Sequence, residues 1–145
     1  MQTKFEQCLE RGKIISFSRG KKLARKELKS ALEDLKSAEK SLGLENYKWS
    51  TIQSYYSMFH SARALLYAKN YREKSHFCLI EAIRTLYLEK GLLNYTLIEA
   101  LQRAKMLREE ADYYGEFTQE NAKYLITKAK EFIEKVNEIL TKNNL

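Results

Sequence analysis

Tyr55-Tyr56-Ser57-Met58-Phe59-His60-Ser61-Ala62-Arg63-Ala64-Leu65-Leu66 is the stretch whose reading decides the fold. Within a helix expected from about Tyr47 to Asn70, Trp49, Ile52, Tyr55, Tyr56, Phe59, Ala62 and Leu66 fall on one stripe. Met58, Leu65 and Ala68 add a second face. A helix apolar over so much of its circumference touches neighbours on two sides, which makes it the central helix of a bundle. It also has more apolar surface than one side of a bundle covers, so a homodimer is expected. His60 and Arg63, three residues apart, share a face of this helix. Ionisable groups there require partners. Either Arg63 meets an acid of a neighbouring helix, Asp112 or Glu109, or the two residues line a polar pocket.

The rest of the chain reads as further helices. A short one is expected over Lys4 to Ser16 and a long one from about Lys22 to Leu42, with Leu28, Ala31, Leu32, Leu35 and Ala38 on one stripe. Ser75 is placed to cap a helix from His76 to Lys90 that Gly91 closes, with Phe77, Ile80, Ile83, Leu86 and Tyr87 toward the core. Asn94 or the Thr96-x-x-Glu99 box starts the fifth, and Thr118 caps the last. The chain has no proline and five glycines, and few runs alternate with period two. The expected fold is all-α: an antiparallel up-and-down bundle of four to five long helices plus a short N-terminal one. The 145 residues read as a single domain, 1–145, with its core over about 22–140.

Composition narrows the function classes. No apolar run approaches the ~18 residues of a spanning helix, and the N-terminus has no signal-like layout. A cytoplasmic protein without a membrane partner is therefore expected. Cys8 and Cys78, far apart and without CxxC spacing, read as small core hydrophobes rather than ligands or a disulfide. The net charge of +7 agrees with a nucleic-acid or nucleotide partner. Much of it is local: Arg19, Lys21, Lys22, Arg25, Lys26 and Lys29 stand against Glu27 alone. That run is either a solvated helix start or a phosphate-contacting patch.

His76 falls in the first turn of its helix, with Arg72 and Lys74 just before it. Exposed N–H groups at a helix start, with added cations, suit an anion. The helix dipole there favours the neutral imidazole, the form a general base needs. Arg108 and Asp112, at i and i+4, read as a structural polar pair. Glu73-x-x-His76 is half of a di-iron carboxylate motif, but the residue three before His60 is Ser57, so the second half is missing. No metal site and no cofactor are expected.

Taken together, Tyr55-Tyr56-x-Met58-Phe59-His60-x-Ala62-Arg63-Ala64-Leu65-Leu66, Lys74-Ser75-His76 and Arg108-x-x-Ala111-Asp112-Tyr113 resemble the HEPN superfamily, in particular its small stand-alone prokaryotic members. The likeness runs from about Lys22 to Val136. It implies an antiparallel helical bundle that dimerises, is encoded beside a minimal nucleotidyltransferase, and acts in a toxin–antitoxin-like system. Ribonuclease members carry an Arg, a polar residue, three to five residues and then His, and cut RNA across a dimer cleft without metal. Here the nearest fit is Arg72-Glu73-Lys74-Ser75-His76, which departs from that pattern: only three residues separate Arg72 from His76, and Glu73 stands in place of the usual Asn, Asp or His. The resemblance implies nucleotide or RNA binding by Arg72, Lys74, His76, Arg63 and His60, and in a catalytic member His76 and Arg72 as the reacting pair. Three readings stay open: a nucleotide- or RNA-binding module with a nucleotidyltransferase partner, a metal-independent endoribonuclease toxin, and a non-catalytic dimerising adaptor.

Overall fold

The structure, a computed structural model, describes the backbone of residues 1–114 and 117–145 and the side chains of 1–109 and 117–145. Thr3 accepts the Glu6 amide at 3.0 Å and starts α1, Lys4–Glu10. The helix expected to reach Ser16 stops here, because Gly12 adopts a left-handed φ of 69° that its missing Cβ allows. The β-branched Ile14 and Ile15 then enter strand β1, Ile14–Ser16, which pairs antiparallel with β2, Tyr71–Glu73. Ile15 stands opposite Arg72, and the Lys74 amide bonds the Lys13 carbonyl at the ribbon's end.

Between these strands lie α2, Gly20–Gly43, and α3, Tyr47–Tyr67. Gly20 begins α2 against the end of α3, where a Cβ would sit 2.4 Å from the Tyr67 carbonyl oxygen. Ala24, Ala31 and Ala38 repeat every seven residues on α2 and are fully buried. Their small size lets α3 approach closely enough for Ser50 and Ser57 to donate to the Ala38 and Ala31 carbonyls, at 2.9 and 2.8 Å. The Ser75 hydroxyl accepts the Cys78 amide at 3.0 Å and starts α4, His76–Ile83. A π-turn over Arg84–Leu88 follows, and the chain reverses at Gly91. Helix α5 is Tyr95–Tyr114, opened by Asn94, and α6 is Gln119–Lys142, capped by Thr118.

Helix α3 is central, as its sequence requires: it packs on α2, α4, α5, α6 and β2. Tyr55, Met58, Leu65 and Leu66 form the core with Leu35, Ile98, Leu101, Leu125, Phe132 and Leu140. Most of the apolar surface that led to the expectation of a second copy is thus covered within the chain. Three residues assigned to apolar stripes face outward instead: Trp49, Leu32 and Phe77 are 50, 41 and 55% exposed.

Cys8 and Cys78 are bonded to each other, with a Cα–Cα distance of 5.8 Å. Both are buried, as core hydrophobes would be, but the disulfide corrects the sequence reading. The ribbon carries α1 alongside the start of α4, a neighbourhood that cysteine spacing cannot reveal. Among the described residues no helix is long and apolar enough to cross a membrane.

Candidate functional site

The half-buried polar face of α3 holds one closed network. His60 Nδ1 lies 2.5 Å from Glu27 Oε1 of α2, and its Nε2 lies 3.5 Å from Asp34 Oδ2 one helix turn pair further along. Arg63 donates through Nη2 to Glu73 Oε2 at 2.6 Å and through Nε to both Glu73 oxygens, while Nη1 reaches Glu27 at 3.3 Å. Its guanidinium also stands 4.5 Å over the Phe59 ring. Burial opposes the Arg63 charge, but the Glu73 hydrogen bonds and the charges of Glu73 and Glu27 outweigh it, so its pKa rises. Burial raises the Asp34 carboxyl, against His60 and with help from Glu33 and Glu27. Asp112, the partner expected for Arg63, lies outside the described side chains, and Glu109 pairs with Lys105 instead. The acids that do meet Arg63 come from α2 and β2.

His76 has different company. Its Nδ1 is hydrogen-bonded to the Tyr55 hydroxyl, and its ring lies 4.5 Å from that of Phe59. Burial lowers its pKa, and the charge of Arg108 lowers it further, with Lys105 and Arg63 adding; Glu73 works the other way. Arg108 stands 5.3 and 5.0 Å over the rings of Tyr55 and Tyr56. Burial raises the Tyr55 phenol far above its ordinary value against the charge and weak hydrogen bond of Arg108, so it keeps its proton. A guanidinium can only donate, which leaves the phenol hydrogen for Nδ1 of His76. The neutral imidazole then carries its own proton on Nε2, which makes no protein hydrogen bond among the described residues. Such a group donates a hydrogen bond to an anion; its protonated form, the imidazolium, delivers a proton to a leaving oxygen and returns to the neutral ring.

Arg72 is exposed and 5.6 Å from the Phe17 ring centroid. Successive strand residues point to opposite sides, so Arg72 turns away from Glu73, which faces Arg63. The structure therefore does not bring Arg72 and His76 of one chain together. Lys74 is exposed at the ribbon's end. Of the basic run on α2, Arg25 is engaged by α6 and the last residue, donating to Asn137, Thr141 and the Leu145 carbonyl. Arg19, Lys21, Lys22, Lys26 and Lys29 are exposed. The intrahelical pair expected for Arg108 falls on Asp112, outside the described side chains.

Glu27, Tyr55 and Arg108 were not recognised as neighbours of the two histidines from sequence. Glu27 left one signal: it is the single acid in a run of cations, an odd position unless the carboxylate is needed inside. Tyr55 looked like core and Arg108 like one half of an intrahelical pair with Asp112.

A family model for the HEPN domain matches residues 24–139. Among relatives, a Methanocaldococcus jannaschii protein named "Putative toxin" is 29% identical over 129 residues, 88% of each chain. A second protein of that name and organism is 29% identical over 111 residues, 76% of this chain and 83% of its own. An Archaeoglobus fulgidus "UPF0332 protein" is 30% identical over 118 residues, 80% of this chain and 94% of its own.

Proposed function

The chain belongs to the HEPN domain family, and on that footing we propose that it is a toxin-like module that binds RNA or a nucleotide by a phosphate at His76. The observation that carries this reading is the state of His76: a neutral imidazole held at Nδ1 by Tyr55, among the charges of Arg108 and Lys105. A phosphate brought there meets an N–H donor and the Arg108 guanidinium, while Lys105 is shared with Glu109. At His60 and Arg63 it would meet carboxylates that already occupy the positive groups, so those two residues hold the fold rather than the ligand. Lys74, exposed and two residues before His76, adds a cation on the approach to it, whereas Arg72 is turned to the other side of the ribbon. A homodimer and a minimal nucleotidyltransferase partner complete the reading, both on the strength of the family likeness alone.

A second reading is favoured by the Nε2 of His76, which has no protein partner among the described residues: metal-independent cleavage of RNA. In it the 2′-oxygen attacks phosphorus and loses its proton to water, and the imidazolium form of His76 gives its Nε2 proton to the leaving 5′-oxygen and is left neutral. Arg108 stabilises charge on the phosphorane. The experiment that separates the two is incubation of single-stranded RNA with the protein and with His76→Ala in the presence of EDTA, beside a binding titration. Binding by the wild type without cleavage, weakened in the variant, supports the module, and equal binding by both removes His76 from the phosphate site. Cleavage by the wild type that vanishes in the variant supports the enzyme. No binding by either overturns the proposal.

A further inference from the structure

We propose that the cleft between α4 and α5 takes a nucleobase stacked on Phe77, so that this ring sets the base preference of the ligand whose phosphate lies at His76. This inference rests on the phosphate site proposed above. Phe77 immediately follows His76 at the start of α4, and more than half of its surface is open to solvent. An exposed phenylalanine contributes nothing to the core, and this one is not solitary. It forms one wall of a cleft of about 160 Å³, together with the exposed Met106 of α5. The polar groups of the cleft are Glu81, Gln102, Lys105 and Glu109.

His76 is not part of the cleft wall, but it directly precedes Phe77 in the chain. Lys105 and Glu109 line the cleft, are ion-paired at 2.8 Å, and are both charges that interact with His76. In this proposal a nucleotide whose phosphate meets Nε2 of His76 places its base in the cleft, against the next residue in the chain. The Lys4 ammonium stands 6.0 Å over the Phe77 ring, adding a cation at the rim.

Single-stranded RNA is recognised by this combination: an aromatic face for stacking and polar groups on the base edge. The chemistry of the wall also gives a preference. Glu81 and Glu109 accept hydrogen bonds, and Gln102 both accepts and donates. Adenine and cytosine present an exocyclic amine to such acceptors, whereas uracil presents a carbonyl oxygen. A base with an exocyclic amine is favoured over uracil.

The test uses a short oligoadenylate carrying one 2-aminopurine, whose fluorescence falls on stacking, titrated into the wild type, Phe77→Ala, Phe77→Leu, Phe77→Trp and Arg108→Ala. Binding by the wild type should quench the probe and exceed binding of oligouridylate. Phe77→Ala and Phe77→Leu should lose the quench and about ten-fold in affinity, and Phe77→Trp should retain both. Phe77→Leu keeps an apolar side chain, so a shared loss in the two variants reports stacking and not folding. Binding that Arg108→Ala weakens, with quench and base preference unchanged in Phe77→Ala, overturns the base site and leaves the phosphate reading standing. Absence of any binding overturns both. A dimer that becomes a monomer in Phe77→Ala, with RNA affinity unchanged, gives the ring to a second copy and likewise overturns the base site.

Discussion

The two histidines of this chain sit in polar surroundings of opposite kind, although both contact the same ring, Phe59. His60 has a carboxylate at each nitrogen, and its neighbour Arg63 has two more contacts to acids. Every positive group there has its counter-charge within the protein, and three elements, α2, α3 and β2, are tied together as a result. His76 is held by a neutral phenol, with Arg108 and Lys105 as its charged company. A network that balances itself stabilises a fold and offers an incoming ligand little. A site that leaves an N–H donor open among the described residues, with Arg108 over aromatic rings and Lys105 held by Glu109, is more attractive to an anion. The comparison separates residues that the family likeness groups together.

The largest effect should follow from cutting the covalent tie beside the open region. The Cys8–Cys78 bond closes a loop across a sequence separation of 70. Replacing both cysteines with serine should lower stability by about 4 kcal/mol in urea unfolding, if the cost is mainly chain entropy. Amide exchange should then rise in α1 and the first turn of α4 more than in α2 and α3. A loss below about 1 kcal/mol would mean that the packing of α1 alone holds the arm in place.

Next comes Arg63→Ala, which strands the Glu73 carboxylate, of whose side chain only 4% is exposed. Breaking a buried pair in this way costs about 3 kcal/mol. Arg108→Ala, by contrast, should change stability by no more than about 0.5 kcal/mol. Equal losses in the two variants would erase the distinction between a closed and an open region.

A smaller effect concerns pH. His76 titrates below its ordinary 6.5, first because it is buried and then because of Arg108. The unfolded chain therefore takes up this proton before the folded one does. Its contribution to stability is unchanged well above 6.5 and declines as pH falls through that value toward the folded pKa. The urea midpoint of His76→Gln should fall less steeply than that of the wild type over the same range. By NMR the His76 midpoint should lie below 6.5 and move up in Arg108→Ala; a midpoint above 6.5 would place the ring in a different environment.

What was legible in the sequence was local. The caps at Ser75, Asn94 and Thr118 form hydrogen bonds within three residues of themselves, and side-chain type at those positions was enough to find them. The central place of α3 followed from its wide apolar surface. The ribbon was not legible, because three residues per strand make no period and the partner strand lies beyond two long helices. The disulfide was hidden for the same reason. At the site, His76 and its position at a helix start were legible, but its neighbours depend on the rotation of α3 against α5. Glu73 looked like a departure from the catalytic pattern of the HEPN family; in the fold it anchors β2 to Arg63. Phe77 kept the spacing of a core residue and is exposed because a cleft, not a helix, lies beside it.

The central claim is that phosphate is drawn to the His76 region and not to the His60–Arg63 network. The direct test is the salt dependence of single-stranded RNA affinity for the wild type, Arg108→Ala and Arg63→Ala, each checked by circular dichroism to be folded at the temperature used. For single strands the logarithmic slope changes by about 0.7 for each phosphate neutralised. The account predicts a slope shallower by about that amount in Arg108→Ala and unchanged in Arg63→Ala. A shallower slope in Arg63→Ala with Arg108→Ala matching the wild type would contradict it.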